Sequence, residues 1–286
     1  MFMPRKILEE KLRLMLAEDI GQGDITTAAV VPSGLRVEAA IMAKEAGIAA
    51  GIEETVILAE NLRLEVKAEV ADGEEIKNGQ SIVKISGDAR TILSAERTIL
   101  NLLSRMSGIA TTTRNLTGKL RSAGLKTKLA CTRKTAPGLL YFDKKAVQIG
   151  GGDTHRLHLD DLILIKDNHI AVAGGVAKAV KSAKQRASFS KKIEVEVTKV
   201  EDAVIAVEAG ADIVMLDNFS VKQIAKAVTQ LKKKKVYGKV LLEASGGIRE
   251  NNLVKYGQAG VDIVSIGELT NSVKALDLSL EIARIK

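Results

Sequence analysis

Arg133, Lys134, His155, Arg156, Lys166 and His169 all fall between Cys131 and Ile170, and so do all three histidines of the chain (His155, His158 and His169). Cationic groups alternate there with glycines and with the apolar run Leu162–Ile165, which stops at Lys166-Asp167-Asn168. A short apolar run that ends in charge is the pattern of a buried parallel strand whose C-terminal end opens into a site. Fixed positive charge at such an end suits an anion. A solvated basic loop is the plainer reading of the same residues, but surface charge runs rarely alternate with Gly-rich turns.

Acidic residues follow the same rule. Glu196 and Asp217 end the apolar runs KIEVEVT and DIVMLDN, one strand–helix unit apart, so their carboxylates should face one mouth. There they could chelate magnesium, hold ribose hydroxyls or stabilise a developing positive charge. Glu194 has the same parity as Glu196 and points to the same face, but Glu196 is nearer the strand end. Ser245-Gly246-Gly247-Ile248, followed one unit later by Ile266-Gly267-Glu268, reads as a phosphate cradle, because glycines let backbone N–H groups approach an anion closely. Zinc chemistry does not fit: the histidines lack HExxH spacing and a single cysteine forms no thiolate cluster. That cysteine, Cys131, ends an apolar run and reads as a small hydrophobe rather than a nucleophile.

These residues need a scaffold, and 286 residues suffice for one large domain or two modest ones. Aromatics are only 2% and tryptophan is absent, so the core must be Ile, Leu, Val and Ala, which suits parallel strands under helices. Pro4 to about Asp19 carries a helical apolar stripe. From Arg36 to Ile85 the pattern is strand-like, with VEAAIMAK, GIAAG, LRLEVKAEV and a final ADGEEIKNGQSIVKISG whose DG and NG are hairpin signals. Thr91 to about Met106 reads as a long helix, closing an N-terminal α+β domain over 1–106. After Ser107 the rhythm becomes βα, with strand candidates LKTKLACT, AVQIGGG, LILIKDN, KIEVEVT, DIVMLDN, KVLLEASGG and DIVSIGEL. A weak repeat, AGADIV at Ala209–Val214 and AGVDIV at Ala259–Val264, joins helix ends to strands. The predicted fold is α/β: a sandwich-like α+β domain, then an incomplete, about seven-stranded α/β barrel over 107–270 with its chemistry at the C-terminal mouth. A last amphipathic helix over 271–286 is expected to pack back on the first domain.

The net charge of +8 raises nucleic acid as a partner, yet base-stacking aromatics are scarce and much of the charge is scattered or sits in Lys232–Lys235. Small anionic metabolites account better for the focused cluster. The lone cysteine fits a reducing, cytoplasmic setting, and no stretch is apolar for long enough to span a bilayer. The N-terminus lacks the architecture of a cleavable signal.

Taken in order, EDIGQGDIT (Glu18–Thr26), AERTILNLLSRMSGIAT (Ala95–Thr111), TRKTAPG, GGGDTHR, LIKDNHI, EVEV, MLDN and SGGI resemble the quinolinate phosphoribosyltransferases over nearly the full chain. The resemblance implies transfer of phosphoribose from PRPP to quinolinate with loss of carbon dioxide, a magnesium ion brought with PRPP, and a homodimer or an assembly of dimers with shared sites. It implies that Arg133, Lys134, His155, Arg156 and Lys166 surround quinolinate and pyrophosphate, with Lys134, Lys166, Glu196 and Asp217 as the catalytic group. Glu196 and Asp217 would hold ribose and magnesium, and Ser245, Gly246, Gly247 and Gly267 the 5-phosphate. Arg97 matches an arginine that reaches quinolinate from the partner subunit. Leu140 and Cys131 depart from the family pattern, which has a basic residue after PGL and an acidic or small one before TRK. Two alternatives are a related barrel associated with molybdenum transport, which differs around the KDNH region intact here at Lys166–His169, and a non-catalytic phosphate-metabolite binder, which leaves the paired carboxylates without purpose.

Overall fold

The computed structural model describes residues 3–285. In chain order its elements begin with α1 (Arg5–Ile20), α2 (Ile25–Val30), β1 (Arg36–Ala43), β2 (Gly47–Ile48), α3 (Ile52–Asn61), β3 (Glu65–Ala68), β4 (Glu75–Ile76), β5 (Ser81–Asp88) and α4 (Ala89–Ser122). There follow β6 (Lys128–Cys131), α5 (Leu140–Ile149), β7 (Ile163–Ile165), α6 (Asp167–Ala173), α7 (Val176–Arg186), β8 (Ile193–Val197) and α8 (Val200–Ala209). The chain ends with β9 (Ile213–Asp217), α9 (Val221–Lys233), β10 (Leu241–Ser245), α10 (Leu253–Gln258), β11 (Ile263–Ile266), α11 (Glu268–Asn271) and β12 (Leu278–Ile285). The described residues form two compact units, one of 3–114, 141–151 and 273–285, the other of 115–140 and 152–272.

The first unit is built on a four-stranded antiparallel sheet in the order β12-β1-β5-β3. Alternation explains β1, whose Val37, Ala39, Ile41 and Ala43 are buried while the residues between them are not. A second, two-stranded sheet pairs β2 with β4. The Asn78-Gly79 turn therefore links strands of different sheets, and is a turn without a hairpin. Helix α3 lies in a stretch expected to be strands. Its Ile52, Thr55, Ile57, Leu58 and Ala59 recur at helical spacing, and Asp72 Oδ1 accepts the Gly51 and Ile52 N–H groups at 2.8 and 2.9 Å.

Three expectations need correction. The segment expected as a closing helix over 271–286 is mostly strand β12, antiparallel to β1, and only Glu268–Asn271 is helical at its start. Leu278, Leu280 and Ile282 stand at period two, which serves a strand as readily as the helical reading served its apolar positions. Met1, Phe2 and Lys286, which begin and end the expected ranges, lie outside the described residues. Second, the helix expected to end at about Met106 runs on past Ser107 to Ser122, because TTTRNLTGKLRS keeps its apolar stripe through the buried Leu116 and Leu120. Third, AVQIGGG is the end of helix α5, not a strand. That helix belongs to the first unit, where the buried Asp143 pairs with Arg105 at 2.7 Å and Lys145 reaches Glu53 and the buried Glu54 at 2.6 and 2.7 Å.

The second unit is consequently an incomplete barrel of six rather than about seven strands, all parallel, in the order β6-β11-β10-β9-β8-β7 with β6 and β7 at its open edges. A single bridge, Ala130 to Asp153, places the chain after α5 along the outer edge of β6. The AGADIV and AGVDIV repeat has a structural meaning. Asp212 and Asp262, just before β9 and β11, accept the N–H groups of Ile193 and Leu242 at 2.7 and 2.8 Å, tying each strand start to its neighbour. Residues two apart face one cleft at the C-terminal ends of the strands, as the pleat requires: Leu164 and Lys166, Met215 and Asp217, Glu243 and Ser245.

Candidate active site

The cleft at this mouth has a volume of about 540 Å³ and lies wholly within the second unit. Each strand delivers a small number of groups. The turn after β6 brings Thr132, Arg133 and Lys134, held where Thr270 Oγ1 donates to the Lys134 carbonyl at 2.9 Å. The segment beside β6 brings His155 and Arg156, and the end of β7 brings Lys166. From β8, β9 and β10 come Glu196, then Asp217 with Asn218, then Ser245 with Gly246 and Gly247.

Two charge arrangements stand out. Arg156 is only 9% exposed, and it makes no hydrogen bond or ion pair with the described residues. Burial depresses its pKa first, the charge of Arg133 second, while Glu194 and Asp161 oppose the shift. Two guanidinium groups repelling each other on the wall of a cleft are completed by a ligand of opposite charge, and the planar fork of arginine matches carboxylates. On the other wall, Lys166 Nζ lies 2.8 Å from Glu196 Oε2. Asp217 is held above the usual carboxylate range by burial and then by the charge of Glu196, against the Asn218 amide at 2.7 Å and the charges of Lys166 and Lys134. Carboxylates that repel one another in this way form a donor set for a hard cation or for hydroxyl groups.

Between them lies the glycine turn. Gly246 has φ +90°, and a Cβ there would stand 2.2 Å from Asn218 Oδ1, so only glycine fits. Asn252 Nδ2 donates to the Gly247 carbonyl at 3.1 Å and holds the turn. Gly267 stands opposite, where a Cβ would be 3.2 Å from Lys134 Cδ.

Known proteins share this arrangement of sequence and fold. A family model described as "Quinolinate phosphoribosyl transferase, N-terminal domain" matches residues 24–107, and one described as "Quinolinate phosphoribosyl transferase, C-terminal domain" matches residues 109–281. The chain belongs to the quinolinate phosphoribosyl transferase family. It is 45% identical over 275 residues to the probable carboxylating nicotinate-nucleotide pyrophosphorylase of Methanothermobacter thermautotrophicus, covering 96% of this chain and 99% of that one. The protein of the same name from Methanocaldococcus jannaschii is 46% identical over 275 residues, covering 96% of each. Among solved structures, the nicotinate-nucleotide pyrophosphorylase of Francisella tularensis superposes with a TM-score of 0.86 at 41% identity, covering 99% of this chain and 98% of that one.

Of the residues singled out from sequence, the structure gathers Arg133, Lys134, His155, Arg156, Lys166, Glu196, Asp217, Ser245, Gly246 and Gly247 into one cleft lining, with Gly267 against Lys134. Arg97 is not among them. It is exposed on α4 in the other unit. Cys131 is fully buried on β6, as a small hydrophobe would be, and Leu140 opens α5. His158 and His169 are exposed, and neither lines the cleft; His169 Nδ1 accepts the Lys166 N–H at 2.9 Å and so fixes the turn after β7. Sequence reasoning missed Glu243 and Ser265, and it set Glu194 aside. Parity was the available signal for Glu243, since in LLEAS it stands two residues before Ser245 and must share its face.

Proposed function

We propose that the chain catalyses the reaction named by its family, transferring phosphoribose from PRPP to quinolinate with release of pyrophosphate and carbon dioxide to give nicotinate mononucleotide, a step of NAD biosynthesis. The observation that carries this reading is the nine-tenths buried, unpaired Arg156 beside Arg133, facing a carboxylate pair and a glycine turn across one cleft. Quinolinate is a dianion with a ring nitrogen that carries its own lone pair, so attack on the anomeric carbon requires no general base. Bond formation from that nitrogen and loss of pyrophosphate are accelerated by positioning and by fixed charge. Arg133, Arg156 and His155 would orient the two carboxylates. Lys134 and Lys166 would meet the departing pyrophosphate, and Glu196 and Asp217 the ribose hydroxyls and the positive charge that develops on the sugar. Ser245, Gly246, Gly247 and Gly267 would take the 5-phosphate. Once the ring nitrogen is quaternary, it accepts the electron pair left when the adjacent carboxylate departs as carbon dioxide, and a proton replaces that carboxylate on the ring carbon.

Glu196 and Asp217 also fit magnesium, because the charge of Glu196 raises the cost of ionising Asp217 and a divalent cation would relieve it. Magnesium bound with PRPP would offset charge on the pyrophosphate. We further propose a homodimer, or an assembly of dimers, in which Arg97 of the partner subunit completes each site, and a cytoplasmic setting. No described helix is long and apolar enough to cross a membrane.

Incubation with quinolinate, PRPP and magnesium should yield nicotinate mononucleotide and carbon dioxide in equal amounts. Absence of both products from folded protein refutes the reading. Equal turnover of nicotinate refutes the dianion pocket.

A further inference from the structure

The interior of a barrel of parallel strands is ordinarily filled by branched apolar side chains. Here its middle is ionic. Glu194 on β8 and Glu243 on β10 are fully buried, and His155 Nε2 lies 3.1 Å from Glu194 Oε2 and 3.2 Å from Glu243 Oε2. One ring nitrogen thus faces two carboxylates. The other, Nδ1, has no partner among the described residues, and the ring itself lines the cleft.

The backbone at His155 is equally unusual. Its φ is +52°, in the left-handed region that a residue with a Cβ seldom occupies, and Asp153 Oδ1 fixes it by accepting the His155 N–H at 2.8 Å. Buried carboxylates around one ring do little for stability, since apolar residues of similar volume often do as well or better. Both oxygens of Glu194 and Oε1 of Glu243 lack a hydrogen bond, Glu194 Oε2 facing His155 only as a charge contact. Stability therefore does not explain the trio, and its position at the floor of the cleft does.

We propose that Glu194 and Glu243 are positioning residues: by clamping His155 Nε2 they hold the ring across the barrel axis with Nδ1–H as a fixed hydrogen-bond donor to a carboxylate of the substrate. The inference rests on quinolinate being that substrate. A neutral ring can carry its proton on either nitrogen and can flip. Two carboxylates on Nε2 require a proton there, and the imidazolium they favour carries the second proton on Nδ1. Burial opposes this charge, but Glu194 and Glu243 more than offset it and raise the His155 pKa to about 10. In the cleft this supplies a charged donor that cannot rotate away, where an exposed lysine would have to be ordered on binding.

The test uses Glu194→Gln, Glu243→Gln and the double variant, which keep the shape of the clamp and remove its charge. Calorimetric titration with quinolinate alone should show about tenfold or greater weakening in the double variant, while titration with PRPP stays within about twofold. The ¹⁵N spectrum of His155 at pH 8 should show an imidazolium in the wild type and a neutral ring in the double variant. Unchanged quinolinate affinity overturns the proposal, and so does an equal loss for both substrates, the mark of a merely structural role. A metal ion held stoichiometrically through chelator treatment would also overturn it, since the same three residues could ligate one. If the double variant does not fold, a neutral His155 in the wild-type spectrum is decisive against the clamp. A wild-type protein that binds no quinolinate refutes the functional reading instead, and the ¹⁵N spectrum then still decides the clamp.

Discussion

Replacing Arg156 by methionine separates binding from stability, because the two should move in opposite directions. Arg156 is 9% exposed and unpaired, with Arg133 lowering its pKa by repulsion. In the absence of ligand the guanidinium is therefore a net burden, and a methionine of similar length fills the same space without charge. Folding stability should hold or rise, with Tm unchanged or higher by about 2–4 °C for each kcal/mol regained. With quinolinate bound the sign reverses. Removing one member of a buried charge pair costs about 2–5 kcal/mol, which at 1.36 kcal/mol per decade is a loss of roughly 30- to several-thousand-fold in affinity. Calorimetry with quinolinate and differential scanning calorimetry of the unliganded protein measure the two terms on one sample. The reasoning fails if quinolinate binds the variant within about threefold of wild type, or if unliganded Tm drops by several degrees, which would mean that Arg156 has a structural partner.

Gly246→Ala should lose at least about tenfold in PRPP affinity, since its Cβ would meet Asn218 Oδ1 at 2.2 Å; Gly238→Ala, with φ +82° and no atom within 4 Å, carries comparable backbone strain and should bind PRPP normally. Arg97→Ala and Lys134→Ala should each be nearly inactive, and after mixing and reassembly activity should return to about a quarter, from half the dimers being mixed and half their sites intact; a flat response to mixing ratio, with subunit exchange confirmed by mass spectrometry, refutes a shared site. The His155 pKa, raised to about 10, gives a sign for pH: the stability from this ion pair is fully present below about pH 6.5 and is lost as pH rises through 10, at up to about 1.4 kcal/mol per unit. Between pH 8 and 10 the wild type should thus lose more Tm than Glu194→Gln/Glu243→Gln, and parallel curves would refute the assignment.

The rim of the site was legible in the sequence because it is written where apolar runs stop. Lys166, Glu196, Asp217 and Ser245 each stand at or just past the C-terminal end of a strand, and a strand end is a local feature. The floor was not legible in the same way. Glu194 and Glu243 sit inside runs that read as buried core, and only tertiary pairing with a histidine two strands earlier than the one and four strands earlier than the other makes sense of their charge. Parity places Glu194 and Glu196 on one face, and depth separates them: Glu194 is fully buried while the Glu196 side chain keeps 15% of its surface exposed. Fold errors have a similar origin. LYFDKKAVQI was misread because its last four residues look like a strand once the charged positions are taken as solvent-facing, whereas Asp143, Lys144 and Lys145 are all buried. Leu278–Ile285 carries apolar residues compatible with either period, and pairing with β1 selects the strand.

The charge layout along the barrel axis bears on what the cleft still lacks. Arg133, Lys134, Arg156, Lys166 and a protonated His155 supply five positive charges, against four carboxylates from Glu194, Glu196, Asp217 and Glu243. The acids are not wasted: Glu194 attracts Arg156 without forming an ion pair with it, which makes a buried guanidinium tolerable and leaves its hydrogen-bonding fork unoccupied. An excess of one positive charge can nevertheless balance neither a pyridine dianion nor a polyphosphate, let alone both in one cleft. The proposed divalent cation on Glu196 and Asp217 and the proposed arginine from another subunit would each add positive charge, and at different places: the cation beside the ribose and pyrophosphate, the arginine beside the ring carboxylates. Chelation should then weaken PRPP binding while sparing quinolinate, and Arg97→Ala should do the reverse.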